Sequence, residues 1–244
     1  MPSFDLTLLI PLLAAHFLSD FALQPDAIAR NKQRIGTLLL HILITGLCAY
    51  LLLGDFREWR IPLLLAATHG IIDLLKLRLA PNSSRDAAAF VVDQLAHFAI
   101  IFAVSAVDWT RVGMLAPWWK PHNPEGYLNT LLFLGGVIAV TQAAGVFISK
   151  LLPKLLDTDT VELQSNTGFA KAGRYIGYLE RLLLLLFVIT GQLAAAGFLI
   201  AAKSVFRFQK TQEDRKQTEY VLLGTLLSFT TGIAIAFAIK AMMP

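Results

Sequence analysis

Long apolar segments impose the strongest constraint on how this chain folds. A helix needs about 20 apolar residues to cross the hydrocarbon core of a bilayer. About seven segments approach that length, at 4–23, 36–54, 61–80, 87–107, 128–152, 182–202 and 219–241. In lipid the backbone polar groups must be satisfied within the protein, and a helix satisfies its own. The sequence therefore predicts an all-α polytopic transmembrane helical bundle with about seven spans.

The composition agrees with a membrane protein. Hydrophobic residues make up 56% of the 244 residues and charged residues 16%, and the mean hydropathy is +0.61. Soluble domains average about 45–50% apolar and about 25% charged residues. The net charge is +4, and the basic residues lie in short loops, which is typical of membrane-topology signals. No nucleic-acid partner is therefore predicted. The single cysteine, Cys48, excludes an internal disulfide.

A loop rich in tryptophan and proline divides the chain. Residues 108–127 read "DWTRVGMLAPWWKPHNPEGY", which is typical of a membrane interface with aromatic anchors. We predict a four-helix membrane subdomain that bears histidine and aspartate at 1–107, an interfacial loop at 108–127, and C-terminal membrane helices with polar loops at 128–244.

Basic residues predict an orientation for the first half of the chain. They are concentrated in the loop at 25–35 and in the loop between the third and fourth segments, so both loops are expected in the cytoplasm. The loops at 153–181 and 203–217 are both basic although one segment separates them. The orientation of the last two spans stays open.

Histidine and aspartate recur at a spacing of four inside the first four segments. The first instance is "HFLSDFALQ", where the same helix face also bears Gln24. The pairs are His16–Asp20, His69–Asp73 and Asp93–His97, and the second segment adds His41. An ionised carboxylate in hydrocarbon costs several kcal/mol unless it is paired, so three unrelated occurrences are implausible.

The depths of these residues predict that they meet. Successive spans run in opposite directions, so a shared layer needs polar residues late in odd segments and early in even ones. The seven side chains follow this rule. We therefore expect them to form one layer near the cytoplasmic side of a four-helix bundle.

Paired imidazole and carboxylate groups on one helix face are a common way to build a metal site. The predicted ligands of a divalent metal are His16, Asp20, His69, Asp73, Asp93 and His97. His41 and Asp93 are the predicted catalytic residues, with His41 a further ligand or a proton shuttle. Zinc is the expected metal, and manganese or iron also suits this donor set. The candidates exceed the four ligands of one zinc ion, so a two-metal site is open as well.

Neighbouring polar residues support several roles. Gln24 and Gln94 are candidates to orient a carboxylate, or are ordinary interfacial residues. The basic residues at the same side of the membrane are Arg30, Lys32, Lys76, Arg78 and Arg85. Each alone is typical of a topology signal, and together they are candidates to hold an anionic headgroup.

The segments "HFLSDFALQ", "LLLHILI", "THGIIDLLK" and "DQLAHF" resemble an uncharacterised family of bacterial inner-membrane proteins, a domain of unknown function. The resemblance implies a multi-pass protein of the bacterial inner membrane and no particular activity. The intramembrane pattern of histidine and aspartate is also similar to that of membrane-bound, metal-dependent hydrolases.

These observations predict a metal-dependent hydrolase that acts on a lipid-like or phosphorylated amphiphile near the cytoplasmic face. Its partner would be a membrane lipid or an amphiphilic substrate, and the sequence leaves its oligomeric state open. The alternatives are a proton- or metal-ion-coupled transporter that uses the same residues, and a scaffold in which they are interhelical hydrogen-bond partners. Since the outer halves of the first four segments bear almost no ionisable group, the enzyme is favoured over the transporter.

Overall fold

The structure is a computed structural model that describes residues 5–25, 28, 31–79, 86–109, 116–156, 167–208 and 215–244. Within these residues all regular structure is helical, and the prediction of an all-α protein is confirmed. The helices are α1 (Leu6–Phe17), α2 (Ile35–Leu53), α3 (Arg60–Leu79), α4 (Ala87–Ser105), α5 (Pro124–Ile138), α6 (Ala144–Leu155), α7 (Thr167–Ile189), α8 (Leu193–Phe208) and α9 (Arg215–Met242). A π-helical turn, Leu18–Ala22, extends α1, and a second one, Ala139–Ala143, lies between α5 and α6.

Four helical stretches in the described residues are long and apolar enough to cross a membrane. They are Ile35–Leu53, Ala87–Ser105, Pro124–Leu155 and Leu222–Met242. Two shorter apolar helices, Leu6–Ala22 and Leu193–Lys203, accompany them. These helices indicate an integral membrane protein, and the total of about seven spans stays a prediction.

Helices α2 and α4 expose large apolar side chains and bury charged or polar ones. On α2, Leu43 and Leu47 are 67% and 52% exposed, whereas His41 is completely buried. On α4, Val92 is 66% exposed and the neighbouring Asp93 only 7%. Water would favour the opposite arrangement, because exposed leucine and valine lose the free energy of burial. A lipid surround explains the pattern, since lipid solvates apolar side chains and excludes charged ones.

The chain forms two compact units, Met1–Ile138 with Met243–Pro244 and Ala139–Met242. In the first unit α1 packs against α2, α4 and α5, and α3 packs against α2 and α4. The compact unit therefore extends beyond residue 107 and includes α5. In the second unit α7 packs against α8, α9 and the π-helical turn.

The described end of the tryptophan-rich loop docks on the C-terminus of α2. Trp119 is buried, and its indole Nε1 donates to the Leu53 carbonyl at 3.0 Å. The Tyr127 hydroxyl donates to the Leu52 carbonyl at 2.8 Å, and its ring stacks on Trp119 with centroids 4.8 Å apart. Both bonds satisfy carbonyls that have no partner within the helix.

A short turn leads from α2 into α3. Asp55 Oδ2 accepts a hydrogen bond from the Ala116 amide at 2.7 Å, which ties this turn to the tryptophan-rich loop. Glu58 accepts from Arg60 Nε at 2.9 Å, and this side-chain hydrogen bond holds the pKa of Glu58 below its usual value. The turn is therefore fixed by polar contacts outside the apolar helices.

We predict that Gly54→Ala destabilises the first unit by about 2 kcal/mol, because left-handed backbone is unfavourable for alanine and the site is crowded. Gly54 ends α2 with φ +71°, and a Cβ there would lie 2.9 Å from Trp118 Nε1 and from Trp119 Cδ1. The measurement is the thermal unfolding midpoint of the purified protein in detergent. Gly36→Ala is the control, since a Cβ at Gly36 would meet nothing within 4 Å. Equal midpoints for both variants would contradict the proposed role of Gly54.

Candidate metal centre

The structure brings the seven predicted histidine and aspartate residues together inside the first unit. Four helical elements contribute to this His/Asp cluster: α1 with its π-helical turn, α2, α3 and α4. The members are His16, Asp20, His41, His69, Asp73, Asp93 and His97, and none of their side chains is more than 7% exposed. The fifth histidine of the sequence, His122, is exposed in the tryptophan-rich loop.

The π-helical turn at the end of α1 positions Asp20. Ser19 is buried, and its hydroxyl donates to the His16 carbonyl at 3.1 Å and to Asp20 Oδ1 at 3.3 Å. His16 Nδ1 and Asp20 Oδ2 are 3.8 Å apart, too far for a direct hydrogen bond. The Asp20 carboxylate instead faces the histidines of α2 and α3. Wide turns of this kind are frequent at functional sites.

Asp20, His41 and His69 form a compact set of potential ligands, here called the ligand triad. The Nε2 atoms of His41 and His69 are 2.8 Å apart, and each lies 3.4 Å from Asp20 Oδ1. Two ligands bound to zinc at about 2.0–2.1 Å in tetrahedral geometry are about 3.3 Å apart. The two distances to Asp20 Oδ1 equal an edge of a zinc tetrahedron, whereas the 2.8 Å between the imidazole nitrogens is a hydrogen-bond distance that would lengthen by about 0.5 Å around an ion.

Further cluster members adjoin the triad. Asp73 Oδ2 lies 3.6 Å from His41 Nε2 and 3.7 Å from His69 Nε2. The His97 ring stacks on the His69 ring with centroids 4.1 Å apart, and the ring centroids of His16 and His97 are 5.2 Å apart. Two other groups have ligand atoms close enough to hold an ion, His16–His69–His97 and Asp73–Asp93–His97.

Two lysines neutralise two of the three buried carboxylates. Lys32 Nζ lies 2.7 Å from Asp73 Oδ2, and Lys76 Nζ lies 2.8 Å from Asp93 Oδ2. Sequence reasoning treated both lysines as topology signals and missed these pairs. No spacing in the sequence indicated either pair, because Lys32 comes from a loop and Lys76 binds Asp93 on the neighbouring helix α4. Arg78 is exposed, and Arg30 and Arg85 lie outside the described residues.

Both predicted glutamines contact the cluster. Gln94 Oε1 lies 3.2 Å from His16 Nε2, and Gln94 Nε2 donates to Asp93 Oδ2 at 3.3 Å. The Gln24 amide lies 3.2 Å from the imidazole of His41, and its oxygen accepts a hydrogen bond from Lys32 Nζ at 2.9 Å. The two glutamines thus hold His41 of the triad, and His16 and Asp93 beside it, in orientation. Such supporting hydrogen bonds are typical of residues around a metal centre.

The cluster has an excess of negative charge. With neutral histidines, three carboxylates and two lysine ammonium groups leave one net negative charge. Asp20 is the carboxylate without a lysine in hydrogen-bond contact among the described residues. A single buried negative charge is costly in a lipid-surrounded bundle, and a bound cation would offset it.

A small cavity opens next to the cluster. Its lining includes His16, His69 and His97, together with apolar residues such as Leu12, Leu65 and Ile101. Its volume is sufficient for a water-sized molecule. A small ligand thus has space beside the imidazoles without rearrangement of the helices.

The second unit has a buried cation that sequence reasoning did not identify. Arg181 on α7 is 3% exposed. Its guanidinium donates to the Val140 and Thr141 carbonyls of the π-helical turn and to Ser228 Oγ on α9 at 2.7 Å. The neighbouring Glu180 pairs with Lys203 on α8. These contacts hold α7, α8 and α9 together.

Comparison with known proteins gives a family without a known activity. Residues 8–122 match the model of a family described as "Protein of unknown function (DUF3307)". The match includes the whole His/Asp cluster and supports the resemblance to an uncharacterised family. No curated protein and no solved structure matches the chain. The similarity to metal-dependent hydrolases stays a prediction.

We predict that Lys32→Met lowers the free energy of unfolding by about 3 kcal/mol, because it leaves the Asp73 carboxylate buried without its cation. The measurement is a double-mutant cycle on thermal unfolding in detergent, with Lys32→Met, Asp73→Asn and the double variant. The double variant is expected to be more stable than Lys32→Met alone, since asparagine carries no charge. Additive effects of the two substitutions would show that the pair is not coupled.

Proposed function

We propose that this protein is a membrane-embedded, metal-dependent hydrolase that acts on a lipid-like or phosphorylated amphiphile near the cytoplasmic face. The proposal includes about seven spans in a bacterial inner membrane, with the loop that bears Lys32 in the cytoplasm. In this proposal the first unit is the catalytic part of the protein. The main support for the proposal is the geometry of the ligand triad.

The triad has the donor set and the spacing of a catalytic metal site. Catalytic zinc commonly has three protein ligands and an open fourth position, and two histidines with one carboxylate are a known set. The distances of 3.4 Å from Asp20 Oδ1 to His41 Nε2 and His69 Nε2 fit this arrangement, and the two imidazole nitrogens, 2.8 Å apart, would separate slightly on binding an ion. Zinc is the proposed ion, and iron or manganese is compatible with the same donors.

A metal ion in the triad would supply hydrolytic chemistry. It lowers the pKa of a bound water towards neutrality and stabilises negative charge on an ester oxygen. Asp73 Oδ2 lies 3.6 and 3.7 Å from the two imidazole Nε2 atoms, so its carboxylate would be close enough to accept a proton from a water bound to such an ion. Gln24 and Lys32 hold His41 and Asp73 in orientation through their hydrogen bonds.

The surroundings of the cluster favour an anionic amphiphile as substrate. The side chains of Lys32 and Lys76 are 16% and 33% exposed, so their charges reach the edge of the bundle. A phosphate group would bind there by charge-assisted hydrogen bonds. The exposed leucines of α2 and α3 would contact the acyl chain in the bilayer.

A transporter is the second candidate because the cluster is buried within a helical bundle. A proton or ion relay needs polar groups that continue across the membrane. The parts of α1–α4 on the far side of the cluster, 6–15, 42–53, 61–68 and 98–105, contain no Asp, Glu, Lys, Arg or His. This absence within the described helices favours the hydrolase.

We predict that the purified protein contains at least one equivalent of a transition metal and that His41→Gln and His69→Gln each lose most of it. Glutamine has a similar size and cannot replace an imidazole ligand effectively. The measurement is elemental analysis after removal of loosely bound metal. His122→Gln is the matched control, because His122 is exposed and outside the cluster. Wild-type protein without metal, or equal metal in all four proteins, would overturn the proposed centre.

We predict that the metal-loaded protein in detergent releases phosphate from dodecyl phosphate and that chelation lowers the rate at least 100-fold, because the metal supplies the nucleophile. Lys76→Met should raise KM more than it lowers kcat, since the lysine contributes to binding of the anion. The chromogenic ester 4-nitrophenyl dodecanoate tests the carboxyl ester in parallel. Bound metal with neither substrate hydrolysed, together with cation flux into proteoliposomes, would replace the hydrolase by the transporter.

A further inference from the structure

Two buried atoms of the His/Asp cluster lack hydrogen-bond partners. Asp93 Oδ1 and His97 Nε2 are both inaccessible, and neither forms a hydrogen bond within the described residues. Asp93 is 7% exposed and His97 3%. Buried polar atoms without partners are rare in folded proteins and cost about 1–3 kcal/mol each. Two of them on one face of α4 require a physical explanation.

The two atoms face each other across a gap. Asp93 Oδ1 lies 3.7 Å from His97 Nε2, which is beyond hydrogen-bond range. The other carboxylate oxygen, Oδ2, already accepts from Lys76 Nζ at 2.8 Å and from Gln94 Nε2 at 3.3 Å. Both external donors therefore bind the same oxygen of Asp93. The second oxygen is turned towards the imidazole and the interior of the cluster.

The width of the gap is compatible with a bound cation. A water that hydrogen-bonds two groups at about 2.8 Å with a tetrahedral angle would hold them about 4.5 Å apart. A metal ion with ligands at about 2.0–2.2 Å would hold them about 3.3–3.6 Å apart. The observed 3.7 Å is closer to the metal value.

A third ligand is available next to this gap. One potential ligand atom each of Asp73, Asp93 and His97 lies within 4.8 Å of the others, and all three residues are buried. Asp73 also adjoins the ligand triad through Oδ2. The His97 ring stacks directly on His69, a member of the triad. The three residues are therefore adjacent to the triad, and one of them, Asp73, lies close to both imidazoles of the triad.

We propose that Asp73, Asp93 and His97 form a second divalent-cation site, adjacent to the ligand triad, so that the cluster is a two-cation centre. Two carboxylates and one imidazole are a harder donor set than the triad, and they suit manganese or magnesium better than zinc. Two cations about 3.5–4 Å apart are typical of enzymes that hydrolyse phosphate esters. The site is argued from its own geometry, and its role in phosphate-ester hydrolysis rests on the function proposed above.

Manganese tests the second site directly, because two neighbouring Mn²⁺ ions give a spin-coupled electron paramagnetic resonance signal. The full-length protein in detergent is titrated with Mn²⁺ alone, and the bound metal per chain is counted after equilibrium dialysis. Wild-type protein is expected to bind two ions and to show the coupled signal. Asp93→Asn and His97→Gln should each retain about one ion with an uncoupled signal, and His122→Gln should behave as wild type.

The outcomes separate the second site from the first. One Mn²⁺ in the wild type that is lost in His41→Gln and retained in Asp93→Asn would overturn the second site and leave the triad. No bound Mn²⁺ in the wild type would overturn both. Two uncoupled ions, or two ions retained in both α4 variants, would also overturn the proposal. If either variant fails to fold, the presence or absence of the spin-coupled signal in the wild-type protein still decides whether two neighbouring ions are bound.

Discussion

Burial of three carboxylates in a lipid-surrounded bundle is the constraint on which the first unit depends. Each carboxylate finds its partner on another element: Asp20 faces histidines of α2 and α3, Asp73 binds Lys32 of the first loop, and Asp93 binds Lys76 of α3. Because removal of one partner would leave a charge in a medium of low dielectric, these contacts fix how the helices are arranged.

The compensation of charge is incomplete in a way that points to a cation. The lysines neutralise two carboxylates, and the third carboxylate faces two imidazoles whose Nε2 atoms are 2.8 Å apart. Nearby, Asp93 Oδ1 and His97 Nε2 have no hydrogen-bond partner within the part of the chain that the structure describes. If the cluster served only to join helices, complete pairing would be expected, because half-satisfied polar networks are less favourable than an apolar core. The proposed metal centre would account for both the net charge and these two atoms.

The helical class and most helix positions could be predicted from the sequence because apolar segment length and periodicity are local properties. The association of α1–α4 was predictable for a different reason, because the polar residues of the four segments lie at one depth. The π-helical turns at Leu18–Ala22 and Ala139–Ala143 were not, because no composition distinguishes them from α-helix. The buried Arg181 was also missed, since its acceptors are carbonyls and a serine distant in sequence.

The sequence by itself determined which side chains share a helix face and a depth. The spacing of four in His16–Asp20, His69–Asp73 and Asp93–His97 follows from 3.6 residues per turn. Only the tertiary structure decided which atoms meet. The distance between the Nε2 atoms of His41 and His69 depends on the rotation and approach of α2 and α3, and the positions of Lys32 and Lys76 depend on a loop and a neighbouring helix. These are long-range packing relations, and residue spacing along one helix carries no information about them.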